Sequence, residues 1–207
     1  MGKELHMSEF VTPSKMILDP RVDLNKQARG VERLGGAKIP LGAPGQTQLT
    51  AGLRASTDII QVLIRCTGLS AADTLGLRFN GDATASYWNH NDVSVQGNAT
   101  FSNENEVSQT SVRLAITVTG LTNNDDGGTT ARMCFAWFNN TAGVEKIGQW
   151  FQCRATNAVG TPGNLYFGTG SWVKTGQRIT SVTLVTGGGV ATMNPGTGIS
   201  IFGKDYP

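Results

Sequence analysis

Ser111-Val112-Arg113-Leu114-Ala115-Ile116-Thr117-Val118-Thr119 is the stretch on which the reading of the fold turns. Val112, Leu114, Ile116 and Val118 share one face of an extended chain, while Ser111, Arg113, Thr117 and Thr119 share the other. A period of two over this length fits a half-buried strand and no helix. The same grammar recurs on both sides. Thr57-Asp58-Ile59-Ile60-Gln61-Val62-Leu63-Ile64-Arg65-Cys66 is a β-branched run of strand length. Leu75-Gly76-Leu77-Arg78-Phe79 alternates and runs into the turn signal Asn80-Gly81-Asp82. Downstream, 131–138, 148–155, 171–173, 179–185 and 198–203 read as further strands, with weaker candidates at 46–53, 85–89 and 98–102. Gly187-Gly188-Gly189 and 123–128 fit hairpin tips. No long window beyond residue 46 carries a helical stripe. The chain is therefore expected to be all-β, an antiparallel two-sheet β-sandwich of jelly-roll-like form with an extended N-terminal arm. A closed up-and-down barrel is the alternative.

Composition agrees. Charged residues make up 15% of the 207, and glycine is 27 of them, which is low charge and many turns. A coiled coil needs more charge, and no apolar run is long enough to span a membrane as a helix. Four of the seven prolines fall in residues 1–46, together with seven Lys/Arg and five Asp/Glu, so this segment is +2 and the remainder neutral. It lacks a period of two, which divides the chain into an arm, 1–46, and a sandwich, 47–207. The apolar side chains of Phe10, Val11, Met16, Ile17, Leu18, Val22 and Leu24 have no use in a solvated linker, so they are assigned to partner binding. An arm charge of +2 is feeble for neutralising nucleic acid, and neither nucleic acid nor membrane is expected as a partner.

Residues that could carry chemistry are few. Cys66, Cys134 and Cys153 are an odd, widely spaced set with no C-x-x-C pair, which reads as small buried hydrophobes rather than a disulfide or zinc framework. No apolar run of leader length follows Met1, so synthesis and folding in a cytoplasm are expected. His6 and His90 are the two histidines, and neither lies in a metal pattern. Nothing positions a base beside a nucleophile in a grouping of His90 with Ser86 or Asp92, so no catalytic residue, no cofactor and no enzyme activity is expected. Asn123-Asn124-Asp125-Asp126-Gly127-Gly128 has too few carboxylates for a calcium loop and reads as a turn. Tyr87, Trp88, His90 and Asp92 place aromatics beside polar groups in an expected loop, the one candidate for ligand contact, although a strand-end aromatic more often fills a core. Trp137, Trp150 and Trp172 sit in strand patterns and are assigned to the core.

Leu77-Arg78-Phe79-Asn80-Gly81-Asp82 followed by Tyr87 resembles the signature of a β-sandwich module of tailed-bacteriophage virion proteins. Gly170-Ser171-Trp172, Ile179-Thr180-Ser181-Val182-Thr183-Leu184 and Gly198-Ile199-Ser200-Ile201-Phe202-Gly203 are similar to its closing strands. The resemblance spans roughly 55–204 and leaves the arm unexplained. It implies a structural protein of the virion surface, made in the host cytoplasm: a head decoration, head fibre or tail-tip component. The first expectation is a capsid-surface decoration or cement protein anchored by its arm to the major capsid protein or other virion proteins, as a homo-oligomer with a trimer favoured. The second is a tail or fibre module that binds a receptor or glycan through 87–92. The third and weakest is a jelly-roll major capsid protein of a small virus.

Overall fold

The computed structural model describes residues 32–54, 56–71, 73–94, 101–114, 131–154 and 164–204, with the backbone alone for 91–94, 101–104, 154 and 164. The arm residues Phe10, Val11, Met16, Ile17, Leu18, Val22 and Leu24, the strand residues Ile116 and Val118, and the 123–128 turn lie outside the described residues.

The described residues form twelve strands and no helix: β1 Glu32–Lys38, β2 Gln48–Gly52, β3 Ile59–Cys66, β4 Leu75–Phe79, β5 Tyr87–Ser94, β6 Phe101–Gln109, β7 Val112–Arg113, β8 Arg132–Asn139, β9 Lys146–Arg154, β10 Asn164–Trp172, β11 Ser181–Thr186 and β12 Gly198–Lys204. A large sheet has the order β1-β12-β3-β8-β9-β10-β5-β6, and a small one β2-β11-β4-β7. Both are antiparallel, and they form a two-sheet sandwich. The chain crosses between the sheets repeatedly, at β1–β2, β2–β3, β3–β4, β4–β5, β6–β7, β7–β8, β10–β11 and β11–β12, which an up-and-down barrel never does.

Alternation supplies the core. Ile60, Val62 and Ile64 of β3, Cys134, Ala136 and Phe138 of β8, and Ile199 and Ile201 of β12 point inward and are buried. They meet Leu75, Leu77 and Phe79 of β4 and Val182 and Leu184 of β11. Glycines opposite aromatics complete this layer. Gly148 pairs with Phe138 and Gly168 with Trp150, and a Cβ at either glycine would fall 2.0 or 2.3 Å from the neighbouring ring. The glycine leaves a slot that the cross-strand aromatic fills, repaying the backbone freedom glycine surrenders in a strand.

Several expectations change. β1 lies inside the stretch 1–46: Leu34 and Ile39 are in the core, and the compact unit begins at Arg33. The composition boundary is thus not the boundary of the sandwich. β1 carries Gly35 and Gly36 because backbones approach there; a Cβ on Gly35 would lie 2.1 Å from the Gly52 carbonyl oxygen. Val112 and Leu114 are buried as the alternation requires, but Ser111 is buried too, its Oγ covering Gly76. Cys66 and Cys134 are buried and Cys153 is exposed; all three are free thiols. Trp150 and Trp172 are in the core, whereas Trp137 is 37% exposed. Its parity in β8 is that of Met133 and Phe135, on the outer face.

Leu114→Ala is expected to cost about 2–5 kcal/mol, because the cavity between the sheets cannot collapse. Met133→Ala, on the outer face, is expected to stay within about 1 kcal/mol. Urea unfolding of both variants checks the assignment of faces; equal losses would contradict it.

Candidate functional site

The stretch from Leu77 to Tyr87 builds a corner between the sheets. At the end of β4 the chain turns through Asn80 (φ 52°) and Gly81 (φ 71°), closed by the Asp82 N–H donating to the Phe79 carbonyl at 2.9 Å. Positive φ at both central positions is the geometry for which Asn-Gly is suited. The Asn80 side chain ties this turn to the entry of β11. Its Oδ1 accepts from the N–H groups of Thr180 (2.7 Å) and Ser181 (3.1 Å), and its Nδ2 donates to the Arg178 carbonyl at 2.8 Å. The Asp82 carboxylate accepts from Trp172 Nε1 at 2.8 Å, from the Thr84 N–H at 2.9 Å and from Thr84 Oγ1 at 2.5 Å. The Tyr87 hydroxyl donates to the Asp82 carbonyl and accepts from the Phe79 N–H, both at 3.0 Å. Around this network the Phe79 ring contacts Phe138 edge-on at 4.8 Å and Trp172 at 5.9 Å. Arg78 points away, its Nε donating to the Thr110 carbonyl at 3.0 Å.

Two pKa values follow from this geometry. Burial is the largest influence on Asp82 and pushes its carboxyl up, but the hydrogen bonds from Thr84 and Trp172, with Lys174 nearby, outweigh it and hold the value at about 2. Burial likewise dominates at Tyr87 and drives its hydroxyl well above the ordinary range, so this phenol does not titrate under physiological conditions. The corner's polar atoms are committed to holding the fold.

The expected ligand loop is a strand. Residues 87–92 fall in β5, paired with β10 on one side and β6 on the other, so Tyr87, Trp88, His90 and Asp92 do not gather at a tip. Tyr87 is buried, whereas Trp88 and His90 face out of the large sheet. Asp92 is opposite Phe167 in register, and its side chain lies outside the described residues. Trp88 Nε1 donates to Glu145 Oε1 at 2.8 Å, and Ser171 Oγ donates to the same oxygen. His90 Nδ1 lies 2.5 Å from Asn105 Oδ1, while Ser86 Oγ bonds Thr84 Oγ1 at 2.7 Å. The grouping of His90 with Ser86 is therefore not formed. A polar strand is tolerated here because its outer face meets water rather than a second sheet.

Sequence reasoning missed the outer face of the large sheet. Cross-strand register aligns Leu63, Phe135, Phe151 and Phe167 in one row over β3, β8, β9 and β10. The next row reads Phe202, Gln61, Trp137, Gln149, Thr169 and His90. Exposure is 57% at Met133, 52% at Ile147, 47% at Phe167 and 37% at both Trp137 and Phe151. Leu63, Phe135, Phe151 and Phe167, with Met133 and Trp137 flanking Phe135 on β8, are contiguous rather than scattered, and contiguity marks a contact surface. The rings lean on one another: Phe135 is 5.6 Å from Trp137 and 5.7 Å from Phe151, tilted by 46° and 36°. The signal was present in alternation alone, since Met133, Phe135 and Trp137 interleave with the inward Cys134, Ala136 and Phe138. Only the register shows that their neighbours on β9 and β10 are apolar too.

Lys146 is a second residue that patterning did not single out. It is fully buried, and its Nζ donates to the carbonyls of Thr141 (2.9 Å), Val144 and Thr175 (3.5 Å), tying two loops together. Burial, with Arg178 adding repulsion, lowers its pKa. Among the described residues no three His, Cys, Asp or Glu side chains are grouped to hold a metal ion. No protein-family model matches the chain, and neither the curated proteins nor the solved structures give a match to it.

Because the Asp82 value lies below the ordinary 3.8, its stabilisation is complete above about pH 4 and is lost as pH falls towards 2. The melting temperature is expected to drop between pH 4 and 2 in the native chain and to drop less steeply in Asp82→Asn, which should already be less stable at pH 7. Parallel acid slopes in the two proteins would contradict this role.

Proposed function

We propose that the chain is a structural virion protein of a tailed bacteriophage, a capsid-surface decoration or cement protein. In this reading the N-terminal segment anchors it to the major capsid protein, and the outer face of the large sheet contacts a neighbouring virion subunit. The observation that carries the reading is that contiguous apolar face on a low-charge sandwich. Leaving Met133, Ile147, Phe151 and Phe167 in water stabilises nothing, since each apolar side chain is worth about 1.5–3 kcal/mol when buried. The resemblance of the 77–87 stretch and the closing strands supports the virion assignment, and the apolar residues of the arm support the anchor. Ordering that arm consumes about 1–2 kcal/mol per residue, so attachment gains from several arms acting together in a symmetric oligomer, a trimer being the simplest.

The competing role, glycan recognition on a tail or fibre, is less well supported by the same face. Stacking on a sugar wants a flat aromatic platform, whereas Phe135, Trp137 and Phe151 are inclined by 36° to 46°. A corrugated apolar surface suits interdigitating protein side chains.

Purified particles are expected to carry the protein in hundreds of copies by gel densitometry; a handful of copies per particle would favour the tail reading. Deleting residues 1–31 is expected to leave a β-type circular dichroism signal and abolish incorporation. Phe151→Asp combined with Phe167→Asp should fold, because both side chains are outside the core, and lower the occupancy. Full occupancy by the shortened chain would overturn the anchoring role of the arm.

A further inference from the structure

Beside the aromatic rows, the order β1-β12-β3 makes a trough. Its floor is β12, where Gly198 and Ser200 stand in register with Arg65 and Leu63 of β3. Leu63 and Arg65 form one wall, Arg33, Gly36, Ala37 and Lys38 the other, around a hollow of about 460 Å³. A smaller hollow of about 310 Å³ adjoins it, lined by Arg33, Gly35, Gly36, Gly52 and Arg54. Arg33 stands between the two. It can lie low because Gly36 has no side chain: a Cβ there would fall 2.9 Å from Arg33 Nη2 and 2.9 Å from the Ile199 carbonyl oxygen.

Neither hollow is lined by Asp or Glu. Arg33, Lys38, Arg54 and Arg65 form no ion pair with a described residue, unlike Arg113, which pairs with Glu106 at 2.6 Å, and Arg178, which pairs with Asp58 at 3.3 Å. Like charges gathered on neighbouring strands repel modestly, and folding gains nothing from them. An acidic ligand would reverse the sign of that interaction, and guanidinium groups on opposite walls can grip carboxylates in bidentate fashion.

We propose that this trough binds an extended acidic segment of a partner protein, laid along β12 with carboxylates reaching both cationic walls and apolar side chains resting on Leu63. Two inter-strand spacings, about 9.5 Å, separate β1 from β3, which admits a single extended chain and no duplex. The lining residues include no aromatic ring on which bases would stack, as single-stranded nucleic acid requires, whereas Leu63 and Ala37 supply apolar surface suited to a peptide. The inference stands apart from the virion reading, since it draws only on the groove and its charges.

Fluorescence anisotropy of the full chain with a fluorescein-labelled nonapeptide of Asp, Glu and Leu tests it. Saturable binding at low salt, weakening as salt rises, is expected, with no binding of the same peptide carrying Lys for each acid. Arg33→Gln with Arg65→Gln should weaken it by about tenfold or more. Gly198→Leu should do the same without changing charge: a Cβ there meets only ordinary contacts, the Ala37 oxygen at 3.4 Å first, so the side chain is accommodated and fills the trough. Lys174→Gln, an exposed cation elsewhere, should bind like the native chain, and melting curves confirm that each variant is folded. Absence of binding, native affinity in the Gly198→Leu variant or in the arginine variant, tighter binding of a nine-nucleotide oligothymidine, or full competition by millimolar inorganic phosphate would each overturn the proposal.

Discussion

The carboxylate of Asp82 is the hinge pin of this fold. It receives the indole N–H of Trp172 from the end of β10 in the large sheet, while its own backbone closes the turn that ends β4 in the small one. Asn80, two residues earlier, binds the first residues leading into β11. Tyr87, the first residue of β5, bridges Phe79 and Asp82 with one hydroxyl. Four strands from two sheets thus meet through three polar side chains whose partners are provided within the corner. The network is inexpensive because its members satisfy one another; a half-filled version would leave desolvated donors worth about 1–3 kcal/mol each. Its aromatic shell also sets the spacing of the sheets, since Phe79 and Trp172 touch across the gap.

That spacing decides what every other side chain can do. Once the large sheet is docked through its inner face, side-chain parity is fixed along β3, β8, β9 and β10, and a one-residue slip would exchange the faces. The inner face is closed by rings set into glycine slots, Phe138 over Gly148 and Trp150 over Gly168. The outer face inherits the alternate positions, and there the strands carry aromatic and aliphatic groups rather than the usual polar ones. An antiparallel sheet with water on one side normally reads apolar-in, polar-out. β8 and β9 depart from this, and the departure is coherent across strands because register lines up Leu63, Phe135, Phe151 and Phe167.

Alternation and turn chemistry were enough to read β3, β4, β8, β9, β11 and β12, and the Asn80-Gly81 turn, because each is a local property of consecutive residues. What the sequence concealed was non-local. β1 was hidden because its two glycines look like a linker, yet they are there because the β2 and β12 backbones come too close for a Cβ. β10 was cut to its last residues because Gly168 and Gly170 break the apolar pattern, their places being filled by the Trp150 ring. β5 and β6 are polar strands near one edge, so 87–92 looked like a loop. Trp137 and Cys153 were placed inside because apolar residues usually are. Only the parity of their strands, read against Phe138 and Gln152, sets them outside.

The same logic separates function from folding among the charged groups. Lys146, Asp82, Arg113 and Arg178 each have partners within the fold, and their removal would be felt as lost structure. The cations around β12 form no ion pair among the described residues, so their removal should be felt chiefly by whatever approaches them. Both surfaces left without internal purpose, the aromatic rows and the cationic trough, lie on the outer face of one sheet and share Leu63. The small sheet contributes only Gly52, at the end of β2, to the lining of the smaller hollow. Its buried residues pack against the inner face of the large sheet, which fixes the parity that places these side chains outside. The inner faces of both sheets build the core, and the outer face of the large one is left to carry side chains that stability alone would not choose.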